Sequence, residues 1–255
     1  MREITHVFFD LHGTLIDNAG RLARCYPLAL ARVLVARYGG AWEEWAEADR
    51  QIVADWDSYY ADLDFGAEDG LAQMWEAETR RIRALFRLTG RPYPPADELN
   101  SLVRQYSFEV TRQCDALYAD ARHALEVLRV EADLTWGVIS NGLRGHVEGC
   151  LVGAGVRDWF TGPIITPEDA GYFPKDAGFF ELAFARAGAA AAQCVVVDDR
   201  VGAARIISRL GARGVLLNRQ ERHGPHSGDG RYAVLPDMSP LPDLIRQWRT
   251  QEEGS

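Results

Sequence analysis

Short apolar runs, most of them ending beside a polar residue, alternate with helical patterns along much of this chain of 255 residues. The runs are rich in β-branched and aromatic residues, which is typical of buried strands. Strands that alternate with helices of about ten residues form βαβ units, which build a parallel sheet with right-handed crossovers. The sequence therefore predicts an α/β fold. The predicted strands lie at 6–10, 134–139, 163–165, 194–198 and 214–217, and helices are predicted near 143–153, 177–188 and 201–211.

The composition is that of a protein with a sizeable core, since 47% of the residues are hydrophobic and 25% are charged. A net charge of −9 argues against nucleic acid or an anionic membrane as the main partner. No apolar run is long enough to cross a bilayer. The cysteines form no CxxC pair, so we expect free thiols in a reducing cytoplasm. The sequence leaves the oligomeric state open between a monomer and a homodimer. The cysteines are Cys25, Cys114, Cys150 and Cys194.

The segment 18–115, between the first two predicted strands, has a different composition. It lacks clear strands and is rich in Ala, Arg, Glu and Trp. Apolar residues between Leu71 and Phe86 follow the i, i+3, i+4 spacing of one helix face. We therefore predict an all-helical domain over 18–115, inserted into an α/β core of residues 1–17 and 116–255. Its tryptophans either fill the helical core or line a substrate pocket. Further helices are predicted near 20–37, 42–62 and 96–113.

Polar residues at the ends of the predicted strands carry the candidate chemistry. In parallel sheets, ligands bind beyond the carboxyl ends of the strands. Asp10 ends the first strand, Ser140 follows the second, and Asp198-Asp199 closes the fourth. A carboxylate such as Asp10 can act as a nucleophile that forms an acyl-phosphate. Acidic side chains facing it would repel one another without a cation, and oxygen ligands of this kind suit Mg²⁺.

The stretch Phe8-Phe9-Asp10-Leu11-His12-Gly13-Thr14-Leu15 resembles motif I of the haloacid dehalogenase-like (HAD) superfamily. Three further segments follow in the family's order and look like its motifs II, III and IV. The resemblance extends from residue 5 to about 218 and implies a Rossmann-like parallel sheet with a C1-type helical cap, the insert 18–115. The three segments are Val138-Ile139-Ser140-Asn141-Gly142, Gly171–Phe180 and Cys194-Val195-Val196-Val197-Asp198-Asp199-Arg200.

The resemblance implies a role for each matching residue. Asp10 would be the nucleophile, His12 the acid–base group and Lys175 the cation that stabilises the phosphoryl oxygens. Arg144, which follows the motif II loop, either contacts an anionic substrate or faces solvent. The implied substrate-binding residues are Thr14, Ser140, Asn141, Gly142 and Arg144, and the implied Mg²⁺ ligands are Asp10, His12 through its backbone carbonyl, Asp198 and Asp199.

Two positions depart from the family's pattern. His12 stands where family phosphatases usually carry a second Asp, although histidine can perform acid–base chemistry. Lys175 comes one residue late, because Pro174 takes the usual lysine position. It is the only lysine among 28 basic residues, and its flexible stem is predicted to bring the ammonium back to Asp10. His146 fits no ligand spacing and is expected at the surface.

These residues favour a Mg²⁺-dependent, phosphatase-like hydrolase that acts on a small phosphorylated metabolite through an aspartyl-phosphate on Asp10. A second interpretation is a haloacid dehalogenase, in which Asp10 attacks carbon. The pair Asp198-Asp199 counts against it, because a metal-free site that attracts a carboxylate gains nothing from added acidic groups. A third interpretation, which both departures favour, is an inactive HAD fold that binds a ligand or a partner.

Overall fold

A computed structural model of the protein describes residues 3–130, 133–173, 175–219 and 232–253. Within these residues the strands form one six-stranded sheet in which every neighbouring pair is parallel. The predicted parallel α/β fold is therefore confirmed. The strands are β1 (His6–Phe9), β2 (Thr135–Ile139), β3 (Ile164–Ile165), β4 (Cys194–Asp198), β5 (Arg213–Leu217) and β6 (Tyr232–Leu235), and their order across the sheet is β3-β2-β1-β4-β5-β6.

Helices lie in each connection from β1 to β5, and the insert between β1 and β2 is helical, as predicted. In the insert they are α1 (Ala23–Tyr38), α2 (Trp42–Ala54), α3 (Trp56–Tyr60), α4 (Gly70–Leu88) and α5 (Ala96–Thr111). The other helices are α6 (Ala119–Leu128), α7 (Arg144–Gly153), α8 (Pro167–Ala170), α9 (Ala177–Ala187), α10 (Val201–Arg209) and α11 (Leu241–Glu253). No helix in the described ranges is both long and apolar enough to span a membrane.

The insert leaves and rejoins the sheet through two paired segments, residues 15–17 and 116–118, which we call the neck. Ile16 and Leu117 form an antiparallel bridge. The backbone N–H of Asp17 donates to the Ala116 carbonyl, and that of Tyr118 donates to the Leu15 carbonyl, each over 2.9 Å. The two crossings of the chain are therefore hydrogen-bonded to each other.

A disulfide joins Cys25, near the start of α1, to Cys114, just beyond α5. The expectation of a free thiol at these two positions is wrong. The two residues are 89 positions apart, and only the antiparallel return of the insert to the neck brings them together. Cys150 and Cys194 are free and buried, as predicted for thiols.

Helix α7 lies close against α5 because it carries glycine on the contacting face. A Cβ atom added to Gly149 would lie 2.8 Å from the Phe108 carbonyl oxygen, and one added to Gly153 would lie 2.5 Å from that of Cys114. Residues of the sheet and residues of the insert belong to one continuous buried cluster. The division into domains 1–17 with 116–255 and 18–115 stays a prediction.

Candidate active site

The pairing of β1 with β4 brings two carboxylates together at the carboxyl edge of the sheet. Phe9 is aligned with Val197, and the backbone N–H of Asp10 donates to the Val197 carbonyl over 2.8 Å. Asp10 therefore lies beside Asp198, the last residue of β4. Both residues are buried, with 8% and 0% of their surface exposed. Because two buried carboxylates repel each other, this edge of the sheet favours a cation.

The ammonium group of Lys175 lies between these two carboxylates. Its Nζ donates to Asp10 Oδ1 over 2.8 Å and to Asp198 Oδ2 over 2.6 Å. A third bond, of 3.3 Å, goes to the Ile139 carbonyl. The prediction that Lys175 reaches Asp10 is confirmed. Pro174, which the sequence places in the usual lysine position, lies outside the described residues.

Burial and the charges at this edge shift the pKa values of Lys175 and Asp198. Burial alone would lower the pKa of Lys175, but Asp10 and Asp198 outweigh it and raise that pKa above its usual range. Burial raises the pKa of Asp198; the ammonium of Lys175 opposes this rise, and the charge of Asp10 adds to it. One ammonium shared by two carboxylates thus leaves negative charge uncompensated at the edge of the sheet.

Asp199 adds a third carboxylate to this group. Oxygen atoms of Asp10, Asp198 and Asp199 all lie within 4.8 Å of one another. Gly13 makes room for this approach: its φ is +79°, and a Cβ atom on it would overlap the Asp199 carboxylate. An all-oxygen donor set of this kind fits Mg²⁺. We call these three carboxylates the acidic cluster. The backbone carbonyl of His12 as a further ligand stays a prediction.

The loops after β1 and β2 carry the polar residues that the sequence assigns to substrate binding. Asn141 Oδ1 accepts from the backbone N–H of Lys175 over 3.0 Å and so holds the motif III loop in place. Ser140 Oγ accepts from the Gly142 N–H over 3.1 Å. Thr14 is buried, and its Oγ1 has no hydrogen-bond partner among the described residues. Their role in substrate binding stays a prediction.

His12 makes a hydrogen bond that the sequence does not predict. Its Nε2 lies 2.8 Å from Nε2 of His146, and Nδ1 of His146 lies 3.3 Å from Ser107 Oγ on α5. The expectation that His146 is a surface residue is therefore wrong. It lies in the first turn of α7, half-buried, and links the motif I loop to the insert.

The environment of this pair favours neutral imidazoles. Burial lowers the pKa of His12 to about 4, with the charge of Lys175 adding to the effect. Burial likewise lowers the pKa of His146 to about 3, and His12 and Arg81 add to it. At pH 7 His12 is neutral and can accept a proton from water, but the lowered pKa makes it a weak base. It is less suited to the other half of its predicted role, giving a proton to a leaving group, because that proton must first be bound.

Comparison with known proteins shows the family of this chain. A family model described as haloacid dehalogenase-like hydrolase matches residues 4–211. The chain belongs to this family. No match to it is found among curated proteins.

Solved structures that share the HAD fold include enzymes with different activities. A 2-haloacid dehalogenase from Pseudomonas syringae pv. Tomato DC3000 is 22% identical, with 96% of this chain and 99% of that chain covered and a TM-score of 0.60. A HAD phosphatase from Thermococcus onnurineus is 19% identical, with 96% and 98% covered and a TM-score of 0.55. At such identities the likeness shows the fold alone, so the reaction of this HAD-like hydrolase must be argued from its own residues.

Arg144 of this HAD-like hydrolase is engaged away from the acidic cluster. Its guanidinium binds the Asp169 carboxylate and donates to the Ile164 carbonyl over 2.9 Å. Its backbone N–H donates to Glu168 over 2.9 Å. These contacts fix Arg144 beside β3, and they do not favour the predicted contact with an anionic substrate.

A pocket of about 310 Å³ opens beside the motif I and motif II loops. His12, Asn141 and Gly142 form its sheet side, and the insert contributes an apolar wall that includes Trp56 and Met74. Trp56 lines this pocket, near the motif I and motif II loops. Trp45, in contrast, is fully buried in the core. The core alternative is therefore confirmed for Trp45, whereas a substrate pocket lined by Trp56 stays a prediction.

Arg219 is a further residue at the site, and sequence reasoning missed it. Its guanidinium donates to the Gly13 and Thr14 carbonyls, each over 3.1 Å, and so supports the loop that follows Asp10. Asp120 binds the same guanidinium over 2.7 Å, and the ring of Tyr118 lies 3.9 Å from its central carbon. A single arginine after a strand, with no motif around it, gives no signal of this role in the sequence.

Proposed function

We propose that this hydrolase is a Mg²⁺-dependent phosphatase of small phosphorylated metabolites that works through an aspartyl-phosphate on Asp10. The observation that carries the proposal is the acidic cluster, in which Asp10 and Asp198 share one ammonium while Asp199 lies within 4.8 Å of both. A substrate phosphate adds further negative charge to this place. Mg²⁺ held by Asp10, Asp198 and Asp199 would neutralise the phosphate and the carboxylates together.

In the reaction we propose, a carboxylate oxygen of Asp10 attacks phosphorus. A new P–O bond to Asp10 forms while the P–O bond to the alcohol breaks, and its electron pair leaves with the alcohol oxygen, which takes up a proton. Lys175 holds Asp10 in place and stabilises the charge on the phosphoryl oxygens. The alcohol oxygen takes its proton from solvent. Water then attacks the aspartyl-phosphate, His12 accepts the proton of that water and returns it to solvent, and phosphate and the free carboxylate are released. The net change is ester plus water to alcohol plus phosphate.

The helical insert serves in this proposal as the cap that covers the site. Its α4 and the segment before it contribute Met74, Glu78 and Phe65 to the pocket beside His12. A wall of this kind selects the alcohol part of the substrate, whereas the sheet edge acts on the phosphate.

A haloacid dehalogenase is the second candidate, and the fold it shares with such enzymes favours it. Its substrate would bring a carboxylate to the pocket. Glu78 is the one acidic or basic side chain among the described residues that line this pocket, apart from the neutral His12. A carboxylate substrate would therefore meet a like charge and no cation, which disfavours this reaction.

Phosphate release from p-nitrophenyl phosphate, with and without Mg²⁺, tests the proposal. We expect Mg²⁺-dependent turnover by the wild type, and loss of turnover to background in Asp10→Asn. Asp133→Asn, which changes an exposed carboxylate elsewhere, is the matched control and should retain the wild-type rate. Mg²⁺ should also raise the melting temperature of the wild type, and the rise should be smaller in Asp199→Asn.

Each alternative has its own outcome in the same experiment. Chloride release from L-2-chloropropionate without Mg²⁺ would identify a dehalogenase. Neither phosphate nor chloride release, together with a melting temperature that Mg²⁺ does not change, would leave a ligand-binding or partner-binding protein.

A further inference from the structure

The pocket beside His12 has one unusual feature, the carboxylate of Glu78 in an otherwise apolar wall. Glu78 lies on α4, one turn after Met74, and both side chains line the pocket. Its Oε2 is buried and has no hydrogen-bond partner among the described residues. A carboxylate oxygen buried without a partner is unfavourable, and by more than an ordinary unmade hydrogen bond when the group is ionised.

The arginine on the same face of α4 as Glu78, three residues on, is already engaged. Arg81 donates to Asp49 Oδ1 from Nη2 over 2.6 Å and from Nε over 3.1 Å. Its guanidinium also lies 4.7 Å from the ring centre of Tyr26 and lines a different cavity, of about 380 Å³. Burial raises the pKa of Glu78, and Arg81 offsets this only in part. Arg81 thus balances Asp49, and no cation among the described residues is hydrogen-bonded to Glu78.

Aromatic rings form much of the rest of the wall. Phe65, from the insert, and Phe173, from the motif III loop, meet at 6.4 Å between ring centres, in an edge-to-face arrangement. Trp56 lines the same pocket, with nearly half of its surface exposed. Aromatic faces attract cations as well as apolar groups. Glu78 and these rings therefore select for the same chemistry, an apolar skeleton with a positive charge.

We propose that the substrate is the phosphate monoester of an amino alcohol, with an apolar or aromatic skeleton and an ammonium group that pairs with Glu78. The proposal rests on the proposed phosphatase function and adds the class of the leaving alcohol. The phosphate would lie at the acidic cluster, the skeleton between Trp56, Phe65 and Phe173, and the ammonium at the carboxylate on α4. A volume of about 310 Å³ is enough for an alcohol with one ring.

Three 2-phenylethyl phosphates, with a 4-aminomethyl, a 4-ethyl or a 4-carboxyl group, test this assignment on the full-length protein. We expect kcat/KM to be highest for the aminomethyl ester and lowest for the carboxyl ester. The preference for aminomethyl over ethyl should be roughly 10–100-fold, the range for a hydrogen bond to a charged group. Glu78→Gln should remove most of this preference. Glu76→Gln, which changes an exposed residue of α4 outside the pocket, should keep it.

Failure of this inference can be told from failure of the proposed function. If p-nitrophenyl phosphate is cleaved in an Asp10-dependent way but the three esters are cleaved alike, the phosphatase stands and the amino alcohol is wrong. If no ester is cleaved, the phosphatase is wrong, and binding of the corresponding phosphonates, measured by calorimetry, decides about the pocket. Equal affinities of wild type and Glu78→Gln for the aminomethyl phosphonate would then overturn the assignment to Glu78.

Discussion

The imidazoles of His12 and His146 meet through their Nε2 atoms, 2.8 Å apart, so one nitrogen must carry the hydrogen and the other must accept it. Protonating both rings would place two donors face to face and abolish the bond. Burial lowers the pKa of His12 to about 4 and that of His146 to about 3, below the ordinary value of 6.5. Below pH 6.5 the unfolded chain binds protons at these histidines while the folded protein does not. The free energy of unfolding is therefore highest above pH 6.5 and falls as the pH approaches the histidine pKa values of the folded state.

This linkage gives a prediction for His146→Gln. The free energy of unfolding of the wild type should fall between pH 6.5 and pH 4 more steeply than that of the variant. For one histidine the difference should reach about 2 kcal/mol at pH 5. Urea denaturation at a series of pH values measures it. His123→Gln, at an exposed position on α6, is the control and should follow the wild-type curve. Parallel curves for the wild type and His146→Gln would contradict the buried, neutral pair.

At the scale of single residues, the sequence predicts the side chains at strand ends and misses those placed by long-range packing. Asp10 and Asp198 follow from the position of apolar strands, since parallel strands end at one edge of the sheet. The contact of Lys175 with Asp10 could be predicted because Lys175 is the only lysine of the chain and lies in the segment that resembles motif III. His146 could not be predicted, because it lies 134 residues from His12 and only the packing of α7 brings the two rings together.

Among the helices, α7 carries three glycines at intervals of four residues, and they do not have equal surroundings. A Cβ atom on Gly145 would lie 3.7 Å from its nearest neighbour, the Arg104 carbonyl, which is an ordinary contact. On Gly149 the same atom would overlap Thr111 Oγ1 and lie 2.8 Å from the Phe108 carbonyl, on the backbone of α5. Alanine therefore fits at the first position and does not fit at the second.

We expect opposite effects from Gly145→Ala and Gly149→Ala on stability. The first should raise the free energy of unfolding by up to about 1 kcal/mol, because alanine favours a helix more than glycine does. The second should lower it by about 1–3 kcal/mol, because α7 and α5 must separate. Urea denaturation at pH 7 measures both, and each variant serves as the control for the other. A stabilised Gly149→Ala variant would mean that α7 is not in close contact with α5.

At the scale of elements, the sequence predicts the central strands of the sheet but does not predict β6 or α6. The runs that form β1, β2 and β4 are strongly apolar because neighbours cover both faces of these strands. Strand β6 is not predicted: it lies at the edge of the sheet, its residues are only half-buried, and its apolar run is short. Helix α6 is also not predicted, although Ala121, Leu125 and Leu128 give it a buried face.

In the molecule as a whole, the disulfide between Cys25 and Cys114 closes the insert into a loop at the neck. A cross-link over a long stretch of chain reduces the entropy of the unfolded state and so stabilises the fold. Cys25→Ser should therefore lower the free energy of unfolding by about 2–4 kcal/mol in the absence of reductant. Dithiothreitol supplies the control, since it should bring the wild type close to the variant. A difference that persists in full under reducing conditions would mean that the disulfide is not its cause.

The sequence could not predict this cross-link, because cysteine spacing carries no information about partners 89 residues apart. The predicted free thiols hold for Cys150 and Cys194 only. The cytoplasmic location, which was inferred partly from four free thiols, stays a prediction. The overall architecture is easier to predict than this pairing. The order of strands and motifs along the chain already implies a parallel sheet with one long insert between its first two strands.

The neck brings the two ends of the insert together at the sheet. Paired antiparallel segments such as those at Ile16 and Leu117 bring their Cα atoms to about 5 Å, a gap that a short hairpin turn can close. Any polypeptide whose two ends lie equally close could occupy the same place in the chain without a change in strand order. One such exchange would replace the insert's share of the pocket wall beside His12 and leave the strands that carry Asp10 and Asp198 in the same order. A graft must also rebuild the buried cluster that the insert shares with the sheet, and it must present a smooth face to the glycines of α7.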